Sequence, residues 1–400
     1  MASCWKTTLC REIRKIHPGS YITIEQETIE EHSYYYLNNK QDKLLSEQEI
    51  INKTDELFRK AVQRQFDKDI EYGYKHLCAL SGGLDARMTT FVADELGFNN
   101  QLNFTFSQSD YYDDFLPKHM ARDLKHEWLF KSLDNGLWLY DVDRITQVTG
   151  GNVLYYGLAH GDSLFRLFNF EEYGLVHSGQ LGDVILSTKV VKNDERYEIG
   201  DGAYSTKYLQ LLNDVVLPQY PNKEIGCFYT RYLNGTNNGI QNIFNYSETY
   251  SPFLDLEFIE FCLSIPNNLR YNHRIYKKWI IQKYPQAAEY VWETTHSKIT
   301  TPVISVGHKS ATITDVPRMI YHKLRNIIGI EDIKTGMNPI GKYLQENNKL
   351  CNYLNNYFAY VDCIQDVELR KVIEAIKNNG TSVEKVQAVS LLSALKMFFS

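Results

Sequence analysis

Five consecutive residues, Ser81-Gly82-Gly83-Leu84-Asp85, follow the apolar run Leu77-Cys78-Ala79-Leu80 and precede a helix-like stretch that closes near Leu96. A buried strand that passes through a glycine turn into a helix leaves backbone N–H groups without partners, and the positive end of the helix adds to their pull on an anion. Gly82 and Gly83 let the backbone approach an oxygen closely, and Ser81 adds a hydroxyl donor. Asp85 is awkward beside bare phosphate but suits a Mg²⁺ ligand, direct or through water, with the ion neutralising a polyphosphate. The spacing fits neither Gly-x-x-x-x-Gly-Lys-Ser/Thr nor Gly-x-Gly-x-x-Gly. A tight strand-to-helix turn capped by Ser or Asp explains the pentapeptide equally well without a ligand.

The flanking pattern alternates short apolar runs with helical periodicity, which predicts strand-helix units around a parallel sheet. Residues 13–36 read as a small turn-and-strand unit around Tyr21-Ile22-Thr23-Ile24. Ser46 and Glu49 form a capping box ahead of Ile50, Leu57, Ala61, Val62 and Phe66, and Arg59, Lys60, Gln63 and Arg64 form the solvated face of that helix. Met88, Phe91, Val92, Ala93 and Leu96 supply the stripe of the next helix, which Gly97 ends. Phe104-Thr105-Phe106 follows as a second strand, and Asp113 and Asp114 are first-turn acids of another helix. His126 reads as a hydrogen-bonded structural histidine just before a further buried piece at Trp128.

A second strand end, Tyr173-Gly174-Leu175-Val176-His177, leads into Ser178-Gly179-Gln180-Leu181-Gly182-Asp183. Asp183 is placed to share Mg²⁺ with Asp85, although turn chemistry accounts for each acid taken alone. Gln180 donates and accepts hydrogen bonds but cannot act as an ionised base. In Ser251-Pro252-Phe253-Leu254-Asp255, Asp255 caps a helix that buries Phe258, Ile259, Phe261, Cys262 and Ile265. Lys298, in His296-Ser297-Lys298-Ile299-Thr300-Thr301-Pro302, carries an ammonium able to follow charge spreading over phosphate oxygens. From Met319 onward the pattern is helical apart from an Asn338-Pro339 turn, and Thr381 with Glu384 caps an amphipathic terminus expected to dock on its own helical region.

Taken in this order, these pieces resemble the asparagine synthase-like ATP-dependent amidoligases. Ser81 to Asp85 is similar to their Ser-Gly-Gly-x-Asp-Ser loop, with Ala86 and then Arg87 where the last serine stands. Ser178 to Asp183 resembles Ser-Gly-x-Gly-x-Asp-Glu, with Gln180 in place of the usual glutamate and Val184 after the aspartate. Residues 248–255 resemble Glu-x-Arg-x-Pro-Phe-Leu-Asp, with Tyr250 for the arginine, and Lys298 matches the catalytic lysine. The resemblance implies a doubly wound parallel α/β sheet of the adenine nucleotide alpha hydrolase-like type with a C-terminal helical domain. It divides the chain into residues 1–45 as a remnant of an upstream glutaminase domain, 46–245 as the nucleotide-binding domain and 246–400 as a mainly helical domain. ATP would meet Ser81, Gly82, Gly83, Asp85, Arg87, Ser178 and Gly179, with backbone near Phe106 and Ser107 on the base. Asp85 and Asp183 would hold Mg²⁺, and Lys298 and Gln180 would carry the chemistry. Cys4 lies behind Ala2 and Ser3 with too little chain around it for a glutaminase site.

Four hundred residues suffice for a large core and two domains. A net charge of −6 gives no general electrostatic reason to hold nucleic acid or anionic lipid. Seven scattered cysteines without a Cys-x-x-Cys pair point to a reducing compartment, and neither a secretory start nor an eighteen-residue apolar run is present, so the expectation is cytoplasmic. The expected activity is AMP-forming ligation of a carboxylate to ammonia or an amine through an acyl-adenylate, with a separate amidotransferase or biosynthetic partner as one nitrogen source. Alternatives are another adenylating enzyme on the same sheet, or a catalytically weak nucleotide-binding subunit, which Ala86, Gln180, Val184 and Tyr250 motivate.

Overall fold

Helix α1 (Glu47–Tyr72) opens on a complete capping box, in which Ser46 Oγ accepts the N–H of Glu49 and the Glu49 carboxylate accepts the N–H of Ser46. Two donors that the first turn leaves over are thereby satisfied. Ile50, Leu57, Ala61, Val62 and Phe66 are buried along one side, and Gly73 ends the helix at φ +77°. The structure is a computed structural model. It describes residues 12–399 apart from 27, 43, 191, 193, 203–206, 213–217, 241, 307–308, 314–315, 318–320 and 322–335, and apart from the side chains of 304–311. Cys4, Cys10 and much of the helical pattern expected from Met319 lie outside the described residues.

Strands β1 (Ser20–Glu25) and β2 (Thr28–Ser33) form a separate antiparallel hairpin. The central sheet is parallel, in the order β5-β4-β3-β6-β7, formed by β3 (Lys75–Ala79), β4 (Gln101–Ser107), β5 (Glu127–Ser132), β6 (Tyr173–His177) and β7 (Thr249–Tyr250). Helices α2 (Leu84–Glu95), α3 (Tyr112–Leu124), α4 (Val142–Thr149) and α5 (Tyr156–Phe165) make the crossovers. The chain runs outward from β3 to β5 and then returns to the other side of β3, which is the doubly wound arrangement. That reversal opens a crevice at the carboxyl ends of β3 and β6. The fifth strand differs from the sequence expectation, which gave 248–255 no strand. It is only two residues long and is defined by tertiary bonds, Val176 N–H to Glu248 O and Ser178 N–H to Tyr250 O, so no local period announces it.

Beyond the sheet come the short helices α6 (Gly182–Ile185) and α7 (Lys223–Cys227), then α8 (Leu256–Ser264), α9 (Asn267–Arg270), α10 (Arg274–Lys283) and α11 (Pro285–Ala288), with a two-stranded ribbon of β8 (Val291–Trp292) and β9 (Ser297–Lys298). Alternation along β3 sends Cys78 and Leu80 to one face, where they join Phe58, Met88, Val92, Phe253, Phe258 and Trp279 in one apolar cluster. Residues on both sides of position 245 thus share this core. On the other face Leu77, Phe104 and Val176 pack on Leu164 and Phe165 of α5. His126 bonds Asn103 and Asp94, each at 3.0 Å, and is structural.

The C-terminal region is helical, comprising α12 (Ile340–Glu346), α13 (Asn348–Asn356), α14 (Val367–Asn379) and α15 (Ser382–Phe398). Thr381 and Glu384 form the expected capping box. Val386, Val389 and Leu392 of α15 pack against Val142, Ile145 and Leu158 of α4 and α5, so this amphipathic helix docks on its own chain. Among the described residues no helix is long and apolar enough to cross a membrane.

Asp69, near the end of α1, fastens that helix to the sheet. Its Oδ2 accepts from His76 Nδ1 at 2.8 Å and from His177 Nε2 at 2.6 Å, and its Oδ1 accepts the Leu175 N–H at 2.9 Å. Burial pushes the carboxyl up, but the bonds from His177 and His76 outweigh it and hold it below its usual range. Asp69→Ala would strand these buried donors, and a loss of about 3 kcal/mol in equilibrium urea unfolding is expected near neutral pH. A carboxyl with a depressed pKa contributes stability above its unfolded value and loses it as pH falls through the folded one, so the gap between wild type and variant should narrow in acid. A gap that widens in acid would contradict this role.

Candidate functional site

A cavity of about 280 Å³ opens at the carboxyl ends of β3, β4 and β6. Its walls are Ala79, Leu80 and Ser81 from β3 and its loop, Phe104, Thr105 and Phe106 from β4, Ser178 and Gln180 after β6, and Leu158, His160 and Gly161 from α5. Reversal of strand order leaves a crevice between neighbouring strand ends, and α5 walls one side of it.

The turn from β3 into α2 is held from several sides. Gly83 is the N-cap of α2 and no side chain caps it. Ser81 Oγ accepts the Gly83 N–H at 3.3 Å, and the Gly82 N–H donates to Asp113 Oδ1 at 2.6 Å. Arg87, expected to face phosphate, is instead buried, because it shares the core side of α2 with Leu84, Met88 and Phe91. Its guanidinium donates to the carbonyls of Gly82, Ala287, Tyr290 and Val291. Burial pulls its pKa down to about 10, which leaves it charged at neutral pH. Arg87 therefore ties the turn to the end of α11 and positions the loop.

The loop after β6 sits directly on the first turn of α2. A Cβ at Gly179 would lie 2.2 Å from Ala86 N, and one at Gly182 would lie 2.6 Å from Asp85 Cγ. Glycine at both positions is the steric condition for this approach. Asp183 donates its N–H to Asp85 Oδ2 at 2.9 Å, and Tyr276 donates its hydroxyl to Asp85 Oδ1 at 2.8 Å. Burial, followed by the charge of Asp183, pushes the Asp85 carboxyl well up, and burial also raises Asp183 against the pull of Lys189. A buried carboxyl pushed up by a second carboxyl beside it fits a hard cation, which takes oxygen ligands and would relieve the repulsion.

A second set with metal-ligand chemistry, Asp69, His76 and His177, lies in the core. Its contacts of 2.6 and 2.8 Å are hydrogen bonds, whereas ligands of one tetrahedral ion with bonds of about 2.0 Å stand about 3.3 Å apart.

The expected site residues are therefore distributed unevenly. Ser81, Phe106, Ser178 and Gln180 line the cavity. Gly82, Gly83, Asp85, Gly179 and Asp183 belong to the two docked loops. Gln180 donates its side-chain amide to Thr236 O at 2.9 Å, and Ser178 Oγ accepts the Gln180 N–H at 3.2 Å. Ser107 is buried outside the lining, with its hydroxyl on the Gln108 carbonyl. Lys298 stands exposed on β9 and pairs with Glu289 at 2.5 Å, also outside the lining.

Sequence reasoning overlooked Asp113, which it read as a first-turn acid. Asp114 does serve locally, accepting the Asp110 N–H, but Asp113 reaches across to Gly82 and lines the cavity. Burial pushes the Asp113 carboxyl up to about 6, with Glu293 adding to the rise and the Gly82 N–H opposing it. Glu293 donates its own N–H to the Gly82 carbonyl and accepts the Tyr111 hydroxyl. The doubled acid, Asp113-Asp114, was the available signal, but nothing local distinguishes the two residues.

No family model matches this chain, and no curated protein matches it.

Gly179→Ala would drive a methyl group into the backbone of α2, and a loss of about 2–3 kcal/mol is expected in urea unfolding; an unchanged midpoint would contradict the docking. Asp113→Asn keeps an acceptor for Gly82 and removes the charge. Because the folded pKa of Asp113 is raised, its ionisation costs stability as pH rises from about 3.8 to about 6. The variant's stability relative to wild type should therefore increase by on the order of 2 kcal/mol between about pH 4 and about pH 7. A pH-independent difference would refute that assignment.

Proposed function

We propose that the protein is an ATP-dependent, AMP-forming ligase that joins a carboxylate to ammonia or an amine through an acyl-adenylate. The observation that carries this reading is the seating of Gly179 and Gly182 on Ala86 and Asp85, which brings two glycine-acid loops together beside a cavity at the strand-order reversal. The resemblance to the asparagine synthase-like amidoligases rests on those same residues. Scattered free cysteines support a reducing, cytoplasmic setting.

In this reading Phe104 and Phe106 provide an apolar wall for the base, and the Ser81 hydroxyl with the backbone of the turn holds the phosphates. Asp85 and Asp183 would hold Mg²⁺, which when bound offsets the charge of the polyphosphate. A substrate carboxylate oxygen attacks the α-phosphorus, the bond to pyrophosphate breaks, and the amine then attacks the acyl carbon as AMP leaves. The mixed anhydride is the reason for using ATP, since a carboxylate is a poor acyl donor. Gln180 orients the acceptor by hydrogen bonding and takes no proton, so the amine proton leaves to water or a substrate group. Lys298 exchanges Glu289 for the departing pyrophosphate and stabilises its charge. Free ammonia, an amine or a separate amidotransferase supplies the nitrogen.

A second reading, a nucleotide-binding subunit of low activity, is favoured by one specific feature: Asp113 occupies the Gly82 N–H while Lys298 is paired on the surface. ATP–pyrophosphate exchange across a panel of carboxylic acids separates the two. The ligase reading predicts acid-dependent exchange, AMP release when ammonia or an amine is added, and a fall of about 10²–10³-fold in Lys298→Ala. Tight binding of Mg-ATP with no exchange for any acid would favour the low-activity subunit.

A further inference from the structure

His160, on α5, contributes to the wall of the cavity. Its Nδ1 lies 3.0 Å from the carbonyl oxygen of Tyr156. A carbonyl oxygen only accepts, so Nδ1 carries the proton, and Nε2 of the neutral ring is left as a lone-pair acceptor. Desolvation drives the pKa of this imidazole down to about 4, which keeps the ring neutral at physiological pH. Phe106 and Trp138 meet the ring edge-to-face, with centroids at 4.8 and 5.5 Å, and hold its plane. Thr105, on the neighbouring wall, is already committed, donating to the Leu80 carbonyl and accepting from Trp128 Nε1. Asn242, which also lines the cavity, donates to the Leu158 carbonyl, so its amide oxygen is a further acceptor. The cavity lining thus includes acceptors able to meet a ligand that brings a donor.

Resting on the nucleotide reading above, we propose that His160 Nε2 determines base specificity by accepting a hydrogen bond from the exocyclic 6-amino group of a purine. Adenine presents a donor there. Guanine and hypoxanthine present an oxygen, which would face the imidazole acceptor with no proton between them and leave both groups desolvated. His160 acts on binding and takes no part in the transfer of the adenylyl group.

The test is equilibrium binding of ATP, inosine triphosphate and purine riboside triphosphate, each with Mg²⁺, to wild type and to His160→Phe. Wild type should bind ATP about tenfold more tightly than purine riboside triphosphate, which lacks only the amino group. In the phenylalanine variant that ratio should fall to about one. In ¹⁵N-histidine-labelled wild type, the Nε2 resonance of His160 should move when ATP binds and stay unmoved with purine riboside triphosphate. A purely structural histidine would not track the amino group, and the labelled wild type decides the matter even if the variant fails to fold. Equal binding of all three nucleotides, or a ratio preserved in the variant, overturns the role of His160 and leaves the nucleotide site standing. Failure of wild type to bind any purine triphosphate overturns both.

Discussion

Gly179 approaches the backbone of Ala86 so closely that a single methyl group would come within 2.2 Å of the amide nitrogen. The parallel pairing of β3 with β6 brings the two strand ends level, and this close approach then seats one loop on the other. From it follow the neighbouring carboxylates of Asp85 and Asp183, the exposure of Ser178 and Gln180 to the cavity, and the fixed mouth of the crevice. Arg87 braces the same turn from behind by binding four main-chain carbonyls, an arrangement that holds the glycine turn without filling it.

Three carboxyls of this region share one electrostatic feature. Asp85, Asp183 and Asp113 all have raised pKa values, each chiefly through burial, and Glu293 adds to the rise at Asp113. Hydrogen bonds from Tyr276, the Asp183 N–H and the Gly82 N–H offset part of the cost of that burial, and the acids lie beside the cavity or in the loops at its mouth. In the reading proposed above, a cation held by Asp85 and Asp183 would relieve the remaining cost. That cost is the strongest electrostatic argument for a ligand.

Much of this was legible in the sequence, for physical reasons that differ by element. The capping boxes at Ser46 and Thr381, the stripe of α1 and the run of β6 are set by neighbours a few residues apart, and their local patterns match the structure. The adjacency of Asp85 and Asp183 followed from glycine and acid at two strand ends. The inward turn of Arg87, the reach of Asp113 to Gly82 and the strand at Thr249–Tyr250 depend on partners between 5 and 204 positions away, and no periodicity encodes them. His160 carried no signal at all, because its role depends on which walls the fold brings together. Lys298 was selected by its place in a motif, and its exposed pairing with Glu289 is a property of the folded surface.

The central claim is that the two docked loops and the cavity behind them form one nucleotide site. Hydrogen exchange followed by mass spectrometry tests it most directly, since the proposal sets the phosphates on the turn after β3 and the magnesium ion between the two loops. Addition of Mg-ATP should slow exchange in residues 80–87 and 177–185 together, while magnesium or ATP alone should slow it less. Binding of Mg-ATP with protection confined to other segments, or to one loop without the other, would contradict the account.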